Sequence, residues 1–417
     1  MTHPLQAIPE AFHKGRHLGI TSVCSAHPVV IEAALRHAAR TGKPALIEAT
    51  CNQVNQDGGY TGMTPSGFRR FVEGIAADVG LPASNIILGG DHLGPNPWKH
   101  LPASEAMAKA GEMIAAYAQA GFTKLHLDTS MGCLGEPVAL ADEETAHRAA
   151  QLALVAERCK AGIDPVYVIG TEVPVPGGAT HALDHLELTR PESVAQTWRV
   201  HRDVFRAHGL DDAFTRVIAL VVQPGVEFGH TDIVHFDPGK AAALSATLQD
   251  HPGLVFEAHS TDYQTAEGLR SLVSMGFAIL KVGPWLTFAL REALYRLDAI
   301  ADIMDSRPPS GRLMGALESE MLAAPENWKK YYSGSEHDQW ILRHFSLSDR
   351  IRYYWPTQNV NKAVDELLNR LGERPIPAPV LHQYFPGNGF SDAPSVARKL
   401  LLDAVKEVLA VYESAVQ

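Results

Sequence analysis

Residues 86–92 read IILGGDH, three apolar side chains and two glycines running straight into a carboxylate and an imidazole. A run this short has strand length rather than helix length, and its β-branched start suits a pleated, buried setting. The same pattern repeats on both sides of it. Upstream lie GITSVCS at 19–25 and ALIEATC at 45–51. Downstream come KLHLDTS at 124–130, VYVIGTE at 166–172, RVIALVVQ at 216–223, LVFEAHS at 254–260 and FAILKVG at 277–283, which makes eight.

Helix-like stretches separate these runs. In Pro28 to Arg40, Ile31, Ala34, Leu35, Ala38 and Ala39 share one helical face, and the Ala, Leu and Arg content favours helix. Met107, Met113, Ile114 and Tyr117 do the same within Ser104 to Gly121, with Gly121 as the stop. Glu143 to Ala161 and Glu192 to His208 follow suit. Strand and helix alternating eight times predict parallel strands with right-handed crossovers. The expected fold is therefore α/β, a (β/α)₈ TIM barrel over residues 1–300, with a large open sheet as the other way to close the same pattern. Beyond Ile300 the rhythm stops. Residues 301–417 predict a mostly helical C-terminal extension packed on the barrel, covering its base or forming a subunit contact. Within it, SLSDRIRYYWP at 346–356 gathers arginines and aromatics; a sharper reading sends that set to the mouth.

At 417 residues, 46% hydrophobic and 20% charged, the chain has the composition of a globular protein with a large core. A formal charge of −11 speaks against a broad nucleic-acid or anionic-membrane surface. Cys24, Cys51, Cys133 and Cys159 show no paired spacing, so reduced thiols in a cytoplasmic protein are expected. Met1 to Arg16 has no apolar core of a signal peptide, and no stretch has the length of a membrane span.

Functional groups of such barrels gather where strands end. Those positions hold Ser25 and His27, Glu48 and Asn52, Asp91 and His92, Asp128, Glu172, Gln223, Glu257 with His259, and Lys281. Carboxylates and imidazoles crowded at one barrel end are costly unless metal, substrate or mutual pairing satisfies them. His92 and His259 are candidate metal ligands, with Glu172 as an oxygen donor; a hydrogen-bonded barrel histidine is the plainer reading of each ring. Asp91 fits a general acid/base role provided the chain turns after Gly89-Gly90, and a loop cap otherwise. Glu48, Asn52, Asp128, Gln223, Ser260 and Lys281 are candidate substrate contacts. Ser260 and Lys281 follow strands seven and eight, where barrels often hold phosphate, although Lys281 pairs equally well with Glu257. No G-x-x-x-x-G-K-[ST] and no dinucleotide fingerprint occurs, so a nucleotide-dependent kinase or dehydrogenase has no support.

At these residues the chain closely resembles the Z-type subunit of class II tagatose-1,6-bisphosphate aldolase, the GatZ/KbaZ family. The stretches that carry the resemblance include SVCSAHPVVIEAAL, LIEATCNQVNQDGGYTGMTP, GGDHLGPNPW, YVIGTEVPVPGG, VVQPGVEF, EAHSTDYQT, KVGPWLTFALREA and SLSDRIRYYWP, from Gly19 to Pro356. The resemblance implies a class II aldolase-like barrel, a homo- or hetero-oligomer with a Y-type aldolase subunit as partner, and a place in galactitol or aminosugar catabolism. In that family the Z subunit supports its partner's activity and stability. A tagatose-6-phosphate kinase label also attaches to some members. Catalytic class II aldolases have an Asp-His resembling Asp91-His92, a later histidine resembling His259 and a glutamate resembling Glu172. Their remaining metal histidine precedes a Pro-Gly pair. Here Ala219 to Gln223 precede Pro224-Gly225 without one, so Gln223, Glu172 or His230 would substitute, or the site is a scaffold relic.

Two functions follow from the resemblance. One is an accessory aldolase component. The alternative is a stand-alone ketose or ketose-phosphate C4-epimerase, using a divalent metal, Zn²⁺ or Mn²⁺, and retro-aldol chemistry.

Overall fold

The computed structural model describes residues 3–170, 186–388 and 396–416. The eight apolar runs form eight strands: β1 (Ile20–Cys24), β2 (Ala45–Thr50), β3 (Ile86–Leu93), β4 (Lys124–Leu127), β5 (Val166–Ile169), β6 (Val217–Val222), β7 (Val255–Ala258) and β8 (Phe277–Val282). They close into a parallel barrel in which each strand pairs with the next and β8 returns to β1. The predicted (β/α)₈ barrel is the observed fold.

Eight helices alternate with the strands: α1 (Pro28–Thr41), α2 (Pro65–Val79), α3 (Ala103–Gln119), α4 (Asp142–Cys159), α5 (Pro191–Ala207), α6 (Pro238–Ala246), α7 (Ala266–Ser274) and α8 (Pro284–Met304). Their ends are encoded locally. Before α2, Thr64 accepts a hydrogen bond from the Gly67 N–H and Pro65 takes the first turn, where its missing N–H costs nothing. Gly80, at φ +74°, then ends the helix in a left-handed conformation. The buried faces of these helices form one apolar layer around the barrel.

Inside the barrel there are two storeys. The lower is apolar, built from Ile20, Leu46, Ile87, Val166, Val168, Ile218, Val255 and Ile279. Each such side chain, once fully buried, contributes roughly 1.5–3 kcal/mol. The upper storey is charged, which is the departure from an ordinary barrel core and the floor of the site.

The extension runs through α9 (Arg312–Ala323), α10 (Glu336–Phe345), α11 (Gln358–Leu371), α12 (Ala378–Tyr384) and α13 (Ala397–Glu413). Its Tyr412 donates to the Thr261 carbonyl at 2.8 Å, just past β7. All four cysteines are free thiols. Among the described residues no helix is long and apolar enough to cross a membrane.

Candidate active site

The site begins with a defect in β3. Its pairing with β4 slips between Gly90 and Leu93, and His92 takes a left-handed backbone at φ +49°. On a regular strand, positions 91 and 92 would face opposite ways. The bulge re-aims the chain, and both Asp91 and His92 line one cavity of about 330 Å³ at the barrel mouth. Left-handed backbone at a non-glycine residue costs of order 1–3 kcal/mol. Ser260, also in the cavity wall, shares that geometry at φ +53°.

Below the cavity lies a closed ion network. Lys124 Nζ sits 2.6 Å from Glu48 and 2.7 Å from Glu257. Lys281 Nζ sits 2.6 Å from Glu48, 2.6 Å from Asp91 and 3.4 Å from Glu257. Gly89 is what makes room for this: a Cβ there would stand 2.7 Å from the Glu48 carboxylate. Burial disfavours the ions, but Asp91, Glu48 and Glu257 raise the Lys281 pKa well above its ordinary value. Against the same burial, Lys124 and Lys281 hold the Glu257 carboxyl well below the usual range.

Three imidazoles crown the network. Ring centres are 4.9 Å apart for His92 and His259, 5.1 Å for His92 and His126, and 5.3 Å for His126 and His259. Each ring has one nitrogen against a carboxylate. His92 Nδ1 meets Asp128 at 2.8 Å, His126 Nδ1 meets Asp91 at 2.9 Å, and His259 Nε2 meets Glu257 at 2.9 Å. For His259 the carboxylate behind the imidazole fixes the tautomer and leaves the other nitrogen's lone pair for a metal; His126 Nδ1 also accepts from the His92 N–H at 3.2 Å, and His92 Nε2 lies 3.7 Å from Asp91. Nε2 of His126 is buried with no hydrogen-bond partner among the described residues. Three imidazoles around one tetrahedral zinc, at ordinary Zn–N lengths, would have ring centres about 5 Å apart.

Asp91, His126, Glu257 and His259 also form a buried group whose donor atoms lie within 4.8 Å of one another, and such a group can hold a metal. Both carboxylates of that group also pair with Lys281, and His92 stands beside the group with its ring centre 4.9 Å from that of His259. Charge agrees. Glu48, Asp91, Asp128 and Glu257 are four buried acids against two buried bases, Lys124 and Lys281. Two formal negative charges remain with the imidazoles neutral, which a divalent cation would balance. The residues present therefore fit a divalent metal.

Burial would lift the Asp91 carboxyl, but His92 and Lys281 overcome it and hold it well below the usual range. Asp128 is likewise pulled down, to about 2, its hydrogen bond to His92 outweighing burial. For His92, burial works against the charged ring, and Asp91 and Asp128 reverse the shift and raise it. For His259, burial and then Lys281 drive the pKa down to about 3, leaving a neutral ring. Among the described residues, Oδ2 of Asp91 stands 3.6 Å from Cys24 Sγ and 3.7 Å from His92 Nε2, while Oδ1 is taken by His126 and Lys281.

Of the two readings of 346–356, the one that sends its arginines and aromatics to the mouth matches the cavity wall. Residues 346–356 do not cover the barrel base: Arg352, Tyr353, Trp355 and Pro356 line the cavity. The cause is a buried clasp. Asp349, at φ +44°, accepts from Arg291 Nε at 2.8 Å and from Thr287 Oγ1 at 2.7 Å, both on α8. Tyr263 adds a hydrogen bond to the Leu347 carbonyl at 2.6 Å.

Other sequence expectations land variously. Asn52, Ser260 and Lys281 line the cavity with Asp91, His92 and His259. Ser25 and His27 line it too, and His27 also caps α1 by accepting from the Val29 N–H at 3.3 Å. Glu48 is fully buried beneath, gripped by both lysines, and is no substrate contact. Asp128 acts through His92 instead of meeting the cavity. Gln223 turns back to accept from the Gly225 and Val226 amides, at 2.9 and 3.0 Å. His230 is no substitute ligand, since its ring nitrogens meet Ser346 at 3.1 Å and the Tyr331 carbonyl at 3.0 Å. Glu172 lies outside the described residues. The third imidazole is His126, overlooked in the sequence. Its signal was spacing: Lys124, His126 and Asp128 alternate along β4 and so share the inward face.

The family model for the D-tagatose-1,6-bisphosphate aldolase subunit GatZ/KbaZ-like group matches residues 5–417. The chain belongs to the GatZ/KbaZ-like family. The D-tagatose 6-phosphate 4-epimerase of Agrobacterium fabrum (strain C58 / ATCC 33970) is 52% identical over 422 residues, spanning 100% of this chain and 99% of that one. A crystal structure of a probable tagatose 6-phosphate kinase from Sinorhizobium meliloti 1021 is 55% identical, with a TM-score of 0.87, over 95% of this chain and 100% of that one. The GatZ/KbaZ-like resemblance read from separate sequence blocks thus extends along the whole chain.

Proposed function

We propose that this chain is a metal-dependent ketose-phosphate 4-epimerase, interconverting D-tagatose 6-phosphate and its C4 epimer, D-fructose 6-phosphate. What supports this above all is the full-length identity of 52% with a protein described as a D-tagatose 6-phosphate 4-epimerase. His92, His126 and His259 would hold a divalent cation, Zn²⁺ or Mn²⁺, with Asp128, Asp91 and Glu257 fixing the rings. When bound there, such an ion polarises a ketose carbonyl.

The chain's own groups account for the rest of a retro-aldol inversion. Ionised Asp91 takes the proton of the substrate's 4-hydroxyl through Oδ2. As the C3–C4 bond breaks, its electron pair passes to the three-carbon enediolate and C4 becomes an aldehyde. After the aldehyde presents its other face the bond re-forms, and Asp91 returns the proton to the C4 oxygen. Nothing is oxidised or reduced overall. Asn52, Ser25 and Ser260 supply hydrogen bonds to hydroxyls, while Tyr353 and Trp355 roof the cavity against water.

The test is the purified chain alone with D-tagatose 6-phosphate in D₂O, followed by ¹³C NMR. Formation of D-fructose 6-phosphate without deuterium at C4 is expected; deuterium at C4 would replace retro-aldol cleavage with proton abstraction. The family's description as an aldolase subunit favours a second reading, support of a Y-type partner in tagatose catabolism. No turnover alone, together with increased heat resistance of that partner on mixing, would establish the second reading over the first.

A further inference from the structure

In barrels of this type a phosphate commonly sits in the loops after the last two strands, against a helix N-terminus. Here that position is filled from within. Asp262, 2% exposed, accepts hydrogen bonds from the Gly283 N–H at 3.1 Å and the Trp285 N–H at 2.8 Å, at the start of α8. A phosphate seated there would compete with a resident carboxyl for the same amides. Lys281, which also lines the cavity, is committed to Glu48, Asp91 and Glu257.

Among the described residues lining the cavity, the remaining Lys or Arg is Arg352. Its guanidinium donates to neutral oxygens alone: the Ser348 carbonyl, the Asp349 carbonyl at 3.2 Å and the Tyr353 hydroxyl at 3.1 Å. No carboxylate of a described residue stands within ion-pair distance of it; the nearest acid in sequence, Asp349, is turned to Arg291. Asp349 and Asp262 act on the guanidinium only from beyond ion-pair distance, so an anion bound in the cavity would be its first direct counter-charge among the described residues. The clasp of Arg291 and Thr287 on Asp349 fixes the backbone three residues ahead of it, so the side chain is held ready. Tyr60 and Tyr353 pack edge to face at 4.8 Å, bringing two phenols to the same wall.

We propose that Arg352, assisted by Tyr353, binds the phosphate of the substrate, so that the C-terminal extension, and not a barrel loop, selects a phosphorylated ketose over the free sugar. This rests on the reading of the cavity as a ketose-phosphate site. A planar guanidinium suits the geometry of a phosphate, with two parallel N–H donors.

The experiment is isothermal titration of the full-length protein, metal content as purified, with D-tagatose 6-phosphate, D-tagatose and inorganic phosphate. Wild type is compared with Arg352→Met and Arg352→Lys, each checked for an intact circular dichroism spectrum. Loss of charge-assisted hydrogen bonds should weaken D-tagatose 6-phosphate binding by about 100-fold in Arg352→Met. The ratio of affinities for phosphorylated and free ketose should fall toward one, and inorganic phosphate should cease to compete. Arg352→Lys keeps the charge without the fork and should lose about tenfold; it carries the test if the Met variant does not fold. Unchanged preference for the phosphorylated sugar in both variants would overturn the assignment, as would a wild type that binds both sugars equally. Binding is read apart from turnover. Arg352-dependent phosphate binding without epimerisation would defeat the catalytic reading alone, and epimerisation with preference intact in the variants would defeat the clamp alone.

Discussion

The clasp between Asp349 and Arg291 gives a prediction with a magnitude attached. Both side chains are at most 1% exposed, and Nε meets Oδ1 at 2.8 Å. The Arg291 guanidinium also lies 4.4 Å from the Phe288 ring centre, and its Nη2 has no partner among the described residues. Asp349→Ala therefore strands a buried cation and removes the acceptor of the Thr287 hydroxyl, a change worth about 3–5 kcal/mol of stability. Asp349→Gly should cost about 1 kcal/mol less, because glycine relieves the left-handed backbone at φ +44°. The double variant Arg291→Met with Asp349→Ala removes both charges and leaves an apolar filler, so most of the stability should return. Urea unfolding followed by circular dichroism measures all three. If the double variant is no more stable than Asp349→Ala, the stranded charge is not the cause and the reasoning about the roof's anchor fails.

Three further outcomes are expected. Asp91→Asn should lower kcat for D-tagatose 6-phosphate by about 10²–10⁴, the usual worth of a positioned acid/base, in coupled-assay kinetics; undiminished turnover would remove Asp91 from the proton path. Elemental analysis should find a divalent metal in the wild type and little in His126→Ala, and full retention in that variant would exclude His126 as a ligand. His201 sits buried on α5 with its pKa lowered by burial to about 4, against roughly 6.5 unfolded. The unfolded chain binds the extra proton first, so this group's stability is present above about pH 6.5 and is lost as pH falls toward 4. The loss reaches roughly 3 kcal/mol at most, and His201→Gln should flatten the acid limb of a calorimetric stability profile by up to one proton's slope. An unchanged limb would mean that His201 does not titrate this way.

The barrel was legible because its signal is periodic and local: each strand is a short apolar run, and each helix carries its own stripe and stops. The run 254–260 shows the limit, since the strand itself is Val255–Ala258 and the polar end belongs to the loop. Asp91, His92 and His259 were visible as polar groups at strand ends. Lys124 and His126 were not singled out because they sit inside a strand, where apolar filling is the default, although the two-residue steps from Lys124 through His126 to Asp128 mark the inward face. Arg352 was harder still. Its position depends on an ion pair between residues 58 apart in sequence, and no periodicity encodes such a contact. The expected cost of crowding ionised groups proved the most useful reading, because the network of Glu48, Lys124, Glu257 and Lys281 is how that cost is met.

The roof contributed by residues 352–356 has a consequence for biosynthesis. A nascent chain can close all eight strands while the wall bearing Arg352 and Trp355 is still inside the ribosome. Any ligand that depends on that wall rewards only chains that extend through it, so it would shield those from proteolysis and leave shorter ones unprotected.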